Sequence, residues 1–197
     1  MRKLILSMNT TLDGIASDEL NWMKVDTDQT WDSLFEMLST VDLLLLGGGM
    51  WNDYRDYWSE VLGKTEFNKN EIRYAQFAEK TRHLVFSSTL QGSYWKNAAM
   101  VTGDLKQIIQ QIKLDNGKDI QIVGGVQFAS SVINTGLVDE YRIMLNPVVL
   151  GKGKSLYSNL LSGLSLECFK VERMDNGVVI LSYRQISHTS KSNEPLT

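Results

Sequence analysis

Cysteine, proline and histidine are all scarce in this 197-residue chain, and each scarcity closes off a class of protein. A single cysteine, Cys168, cannot form an internal disulfide, so the core must hold the fold. It also points to a reducing compartment, and a cytoplasmic location is expected. Two prolines, Pro147 and Pro195, leave no Pro-rich linker. Two histidines, His83 and His188, form no cluster with the cysteine at metal-ligand spacing, so no metal is expected. A strong charge of either sign is missing too, with 20 Lys and Arg against 23 Asp and Glu. That balance gives no general attraction for nucleic acid or for an anionic membrane. Long apolar runs are lacking. The opening Met-Arg-Lys-Leu-Ile-Leu-Ser-Met is too short for a signal peptide or a membrane span, and reads as a first buried strand.

What is present suits a folded α/β protein. Hydrophobic residues make up 43% of the chain, enough to bury a sizeable core without metals or disulfides. No internal repeat is visible. Residues 1–187 read as one domain, and the polar segment His188–Thr197 reads as a flexible tail.

Short apolar runs mark strands at Leu4–Met8, Asp42–Leu46, His83–Phe86, Ala99–Val101, Ile120–Val123 and Glu140–Val149. Leu43 to Leu46 are four consecutive leucines, which implies burial on both faces. Pro147 suggests an edge or a bend in the long strand. Ser165–Arg173 and Val178–Arg184 flank Asn176-Gly177, a strong hairpin signal because both residues tolerate positive φ. Helical spacing falls between the strands, at Thr30–Thr40, Trp51–Leu62, Lys69–Glu79, Leu105–Lys113 and Val126–Asn134. Such alternation predicts a three-layer α/β fold. A mostly parallel central sheet carries helices on both faces and ends in an antiparallel hairpin.

Two strands end in glycines where a helix begins, at Leu46-Gly47-Gly48-Gly49-Met50 and at Val123-Gly124-Gly125-Val126-Gln127. Two readings stand side by side. The glycines make tight strand–helix turns, or they let a phosphate approach the free N–H groups at the helix start. Neither segment matches the spaced dinucleotide fingerprint or a Walker A loop.

Taken in order, these segments resemble a known family. Ser7-Met8-Asn9-Thr10-Thr11-Leu12-Asp13-Gly14 comes first, then the two glycine junctions with Val85-Phe86-Ser87-Ser88-Thr89-Leu90 between them. Gly136-Leu137-Val138-Asp139-Glu140-Tyr141 and Asn146-Pro147-Val148-Val149-Leu150-Gly151-Lys152-Gly153 follow. Over residues 2–185 the chain resembles the dihydrofolate-reductase-like family, in the branch that holds the reductase domain of riboflavin biosynthesis. The resemblance implies NADPH, with NADH as the alternative, and hydride transfer to a small pterin-like or pyrimidine-like substrate. It places Gly47, Gly48, Gly49 and Met50 with Ser87, Ser88 and Thr89 on the adenosine side. It places Gly124, Gly125, Val126 and Gln127 at the pyrophosphate, and Met8 to Gly14 near the nicotinamide. Many relatives carry arginine at positions 48 and 88, which here are Gly48 and Ser88. That loss of bidentate phosphate contacts weakens the case for NADPH over NADH.

Asp32 stands roughly where dihydrofolate reductases carry a substrate carboxylate, and Asp13 matches a family motif. Both are the candidate catalytic acids, each with a plain structural reading beside it: a solvated helix residue and a turn aspartate. Asn9 and Trp22 are the candidate substrate contacts, although tryptophan is more often core. Trp51, Tyr54, Tyr57 and Trp58 have helical spacing and read as core or dimer packing. Cys168 reads as a small buried hydrophobe, and His83 has no evident partner. The chain lacks the H-x-E and P-C-x-x-C patterns of a deaminase. A module that binds or senses a nucleotide without reducing anything is the alternative function. A homodimer is expected, because the Glu140–Val149 strand and the apolar Leu150–Leu161 segment would otherwise stand exposed.

Overall fold

The four leucines set the architecture, because a strand that is apolar on both sides needs cover on both faces. The computed structural model describes residues 1–17, 21–24, 26–90 and 95–186. In it Leu43, Leu44, Leu45 and Leu46 are at most 1% exposed. They lie in β2 (Val41–Gly47), between the parallel strands β3 (Arg82–Phe86) and β5 (Asp119–Gly124). The parallel block continues with β4 (Ala98–Val101) beyond β3, and with β1 (Leu4–Thr11) and β6 (Glu140–Asn146) beyond β5. Two antiparallel strands, β8 (Val179–Gln185) and then β7 (Leu166–Arg173), complete the order β4-β3-β2-β5-β1-β6-β8-β7.

Alternate leucines of β2 face opposite helical layers. Leu43 and Leu45 join Leu4, Leu6, Ile120 and Ile122 under α4 (Leu105–Leu114) and α5 (Val126–Asn134). Leu44 and Leu46 pack under α1 (Asp28–Leu38), α2 (Gly48–Leu62) and α3 (Lys69–Lys80). The expected three-layer α/β architecture with its closing hairpin is what forms. Thr27 caps α1 and makes a reciprocal box with Thr30, so the helix starts two residues before the position expected from apolar spacing. No helix among the described residues is long and apolar enough to cross a membrane.

Three expectations need correction. The Glu140–Val149 strand stops at Asn146, because Pro147 has no N–H to give to the ladder. Nor is it an edge: β8 pairs along it, so the hairpin covers it within one chain. Cys168 is exposed rather than buried, since it lies on β7, the last strand of the sheet. The expected tail at 188–197 lies outside the described residues.

One ion pair ties the parallel block together. Asp139, just before β6, accepts from the backbone N–H of Leu4 in β1 at 2.7 Å and from Lys113 Nζ of α4 at 2.5 Å. Lys113 also donates to the Leu137 carbonyl at 2.7 Å, and its side chain is only 6% exposed. Removing the carboxylate strands a buried ammonium, which costs about 3 kcal/mol. Urea unfolding of Asp139→Ala is therefore expected to show that loss, and Lys113→Met, which removes the buried charge, is expected to cost less.

Candidate active site

Parallel pairing of β2 with β5 sets Leu46 opposite Gly124, so both strands end at one edge of the sheet. Each then yields at once to a helix whose N-cap is glycine: Gly47 for α2 and Gly125 for α5. Neither cap offers a side-chain hydrogen bond, so the first N–H groups of both helices keep their positive ends open. The two readings of these glycines divide by position. A Cβ at Gly47 would meet Phe128 Cβ at 2.6 Å, and one at Gly48 would meet Ser87 Cβ at 2.6 Å. Close packing requires glycine at those two positions. A Cβ at Gly49 would meet nothing within 4 Å. Gly125 adopts φ +79°, a backbone that disfavours side chains, with no contact nearer than 3.7 Å.

A cleft of about 850 Å³ opens above this edge and runs along α2 towards α1 and α3. Of the residues singled out in the sequence, Met8, Asn9, Gly47, Gly48, Gly49, Met50, Gly124, Gly125, Val126 and Gln127 line it. Asn9 is held in place, its Oδ1 accepting from Asn146 Nδ2 at 2.9 Å.

The remaining expected residues stand elsewhere. Asp32 is exposed on α1 and is absent from the lining. The carboxylate of Asp13 accepts from the N–H of Gly151 at 2.7 Å and from Thr11 Oγ1 at 2.6 Å, so it ties two loops together. Those hydrogen bonds, that of Thr11 foremost, hold its carboxyl below the usual range. Gly14 sits in the same loop at φ +78°. Trp22 is buried and donates to the Ser17 carbonyl. Ser87 sits behind Gly48 and caps its own turn, accepting from the N–H of Leu90 at 3.0 Å; Ser88 and Thr89 are exposed.

Other residues line the cleft without having been expected to. Asp26 does so just before α1, and desolvation by the surrounding protein raises its carboxyl, with Thr30 opposing and the charge of Glu71 adding. Ser7 Oγ and Gln121 Oε1 have no protein partner, although both residues are at least nine-tenths buried. Trp31, Tyr54, Trp58 and Tyr74 form an aromatic wall at the far end. Trp58 and Tyr54 had been singled out as packing residues.

Behind the wall His83 does have a partner. Its Nδ1 donates to the Thr81 carbonyl at 2.8 Å, which leaves the lone pair of Nε2 facing the Tyr54 hydroxyl at 3.4 Å. Tyr54 in turn meets the Tyr74 hydroxyl at 3.2 Å. Burial lowers the His83 pKa to about 4, against a smaller opposing effect of the Thr81 hydrogen bond. His83 is thus neutral in the folded protein, while the unfolded chain binds a proton near pH 6.5. Its contribution to stability is complete above pH 6.5 and is lost as pH falls towards 4. Thermal melts across that window are expected to show a falling midpoint, with a shallower slope in His83→Gln.

Residues 2–180 match the model of the RibD C-terminal domain. Among curated proteins, the uncharacterized protein YyaP of Bacillus subtilis is 29% identical over 185 residues, covering 92% of this chain and 94% of YyaP. The fold is also that of a diaminohydroxyphosphoribosylaminopyrimidine deaminase/5-amino-6-(5-phosphoribosylamino)uracil reductase from Thermotoga maritima, with 18% identity and a TM-score of 0.65. That alignment covers 94% of this chain and 57% of the Thermotoga chain. Dihydrofolate reductase from Enterococcus faecalis, complexed with NADP(H), aligns at 12% identity and a TM-score of 0.57, over 93% of this chain and 96% of the reductase.

Proposed function

Because the chain belongs to the RibD C-terminal domain family, we propose that it is a pyridine-nucleotide-dependent reductase of a small pterin-like or pyrimidine-like ring. The observation that carries this reading is the pair of glycine-capped helix starts opening into one cleft. An anion placed between them meets two sets of free N–H groups and two positive helix ends. The open space at Gly49 and the positive φ of Gly125 fit a pyrophosphate against the backbone. We assign Gly124 to Gln127 to that group, and Gly47 to Met50, with Ser87 to Thr89 behind them, to the adenosine side. NADPH is the cofactor we propose, with NADH as the alternative.

When bound, such a cofactor supplies a hydride, and the protein orients the acceptor and excludes water. Asn9, Ser7 and Gln121 offer hydrogen bonds to the ring from the sheet side of the cleft. Reduction of a ring C=N or C=C also needs a proton. Asp26 is the proposed source: it lines the cleft and its raised pKa suits a general acid, whereas Asp32 and Asp13 do not reach the lining. A nucleotide-binding module without reduction would share the cofactor half of the cleft. Asp26 at the ring half favours the reductase.

Titration of the protein with NADPH and with NADH tests this reading, by calorimetry or nicotinamide fluorescence. Binding of at least one is expected, with affinities within about tenfold of each other, because the arginine–phosphate contacts expected at positions 48 and 88, each worth about tenfold, are missing. No binding of either at millimolar concentration overturns it. Gly125→Val is expected to abolish binding, because it forces the cradle backbone out of positive φ.

We also propose a homodimer in a reducing cytoplasm, on grounds different from those in the sequence. With β6 covered and Leu156 buried, apolar surface in need of a partner remains at Leu161, 85% exposed, and on β7, where Phe169 and Val171 are 43% and 62% exposed. Sedimentation at micromolar concentration is expected to give twice the chain mass of 22.3 kDa. A monomer mass refutes the dimer.

A further inference from the structure

We infer that the ring half of the cleft is built for a planar, phosphate-free heterocycle, and that it selects against phosphorylated forms of the same ring. The inference rests on the reductase reading for which half of the cleft receives substrate. It rests on the wall, the charges and the helix ends for what that substrate is.

Distance separates the two halves. Trp58 lies ten residues along α2 from Gly48, about 15 Å at the rise of an α-helix. Around it the aromatic side chains form one continuous surface. The Trp58 and Tyr74 rings have centroids 4.4 Å apart, and Trp31 lies 6.2 Å from Tyr74. This surface is rigid, because Tyr74 is tied through Tyr54 to the buried His83. A fixed aromatic wall attracts a flat ring whatever its sequence of heteroatoms.

Phosphate, by contrast, finds little positive charge to hold it there. The described residues lining the whole cleft include two acids, Asp26 and Asp53, one lysine, Lys154, and no arginine. Lys154 is on the Ser17 side, where its backbone N–H donates to Ser17 Oγ at 3.1 Å. Asp26, on the wall side, offers a dianion no positive charge. Helix ends compensate little. Unlike α2 and α5, α1 and α3 carry side-chain caps: Thr27 takes the N–H of Thr30, and Asn68 takes those of Asn70 and Glu71. The uncapped starts of α2 and α5 lie at the other end of the cleft and are assigned to the cofactor. The polar atoms left without partners, Ser7 Oγ and Gln121 Oε1, are neutral. They match the N–H and C=O edges of a heterocycle, and the Gln121 carbonyl oxygen, an acceptor only, has nothing to give a phosphate.

The experiment uses matched probes that differ only by phosphate: uridine against uridine 5′-monophosphate, and riboflavin against riboflavin 5′-phosphate. Calorimetric titrations are run on the full chain with and without NADPH. In at least one pair the neutral member is expected to bind about tenfold tighter or better. Trp58→Ala is expected to weaken that binding by about tenfold, and Trp58→Phe to restore most of it, with circular dichroism confirming the fold of both variants. Three results overturn the inference: equal or tighter binding of the phosphorylated members, no binding of either neutral probe at millimolar concentration, or indifference to Trp58→Ala. NADPH binding is scored separately. Its absence with the ring preference intact sinks the reductase reading alone, and its presence without that preference sinks this inference alone.

Discussion

Parallel pairing between β2 and β5 is the constraint on which the cleft depends. Two parallel neighbours must finish at the same edge, and the chain must leave each of them through a crossover helix. Their interiors are apolar on both sides, which fixes helices over both faces and leaves only the strand ends open to a ligand. The helix starts consequently converge, and the glycines between strand and helix let them come close. Phe128 and Ser87 fill the space that side chains at Gly47 and Gly48 would take, so the junctions are packed from behind and open in front.

Polarity is distributed along the cleft in the same economical way. At one end main-chain N–H groups carry the positive potential, with no cationic side chain beside them. At the other, aromatic rings supply contact area, and single neutral atoms supply direction. Helices at that second end take up part of their own terminal donors through Thr27 and Asn68. Capping chemistry thus separates an anion-seeking end from an indifferent end along one cleft.

Much of the scaffold was legible in the sequence. Leu43 to Leu46 implied a doubly covered strand, and Asn176-Gly177 implied a hairpin, which forms with Gly177 at φ +87°. Both signals are local: they depend on spacing and on backbone conformation. The site was less legible, because its side chains converge from distant segments. Asp26 precedes α1 by two residues and reaches the cleft, whereas Asp32, within α1, is turned to solvent beside buried Trp31 and Ser33. Nothing in composition separates two aspartates six positions apart. Tyr74 and Gln121 gave no sequence signal at all, since each matters only through what α3 and β5 are packed against. His83 was unreadable for the same reason, its partner Tyr54 lying 29 positions away. Strand order explains the two misplaced exposures. Pairing with β8 internalises β6, and the outermost place of β7 brings Cys168 to the surface.

The contact between Gly48 and Ser87 bears on which side chains position 48 can accept. An arginine at position 48 would need its Cβ where Ser87 Cβ already stands, 2.6 Å away. The two positions are therefore epistatic. A serine-to-glycine change at 87 has to accompany or precede arginine at 48, because arginine alone disturbs the turn that would present it. The route to a side chain at 48 is therefore ordered: position 87 has to give way first or together with it, since a Cβ at 48 meets Ser87 Cβ and Oγ at 2.6 and 2.8 Å.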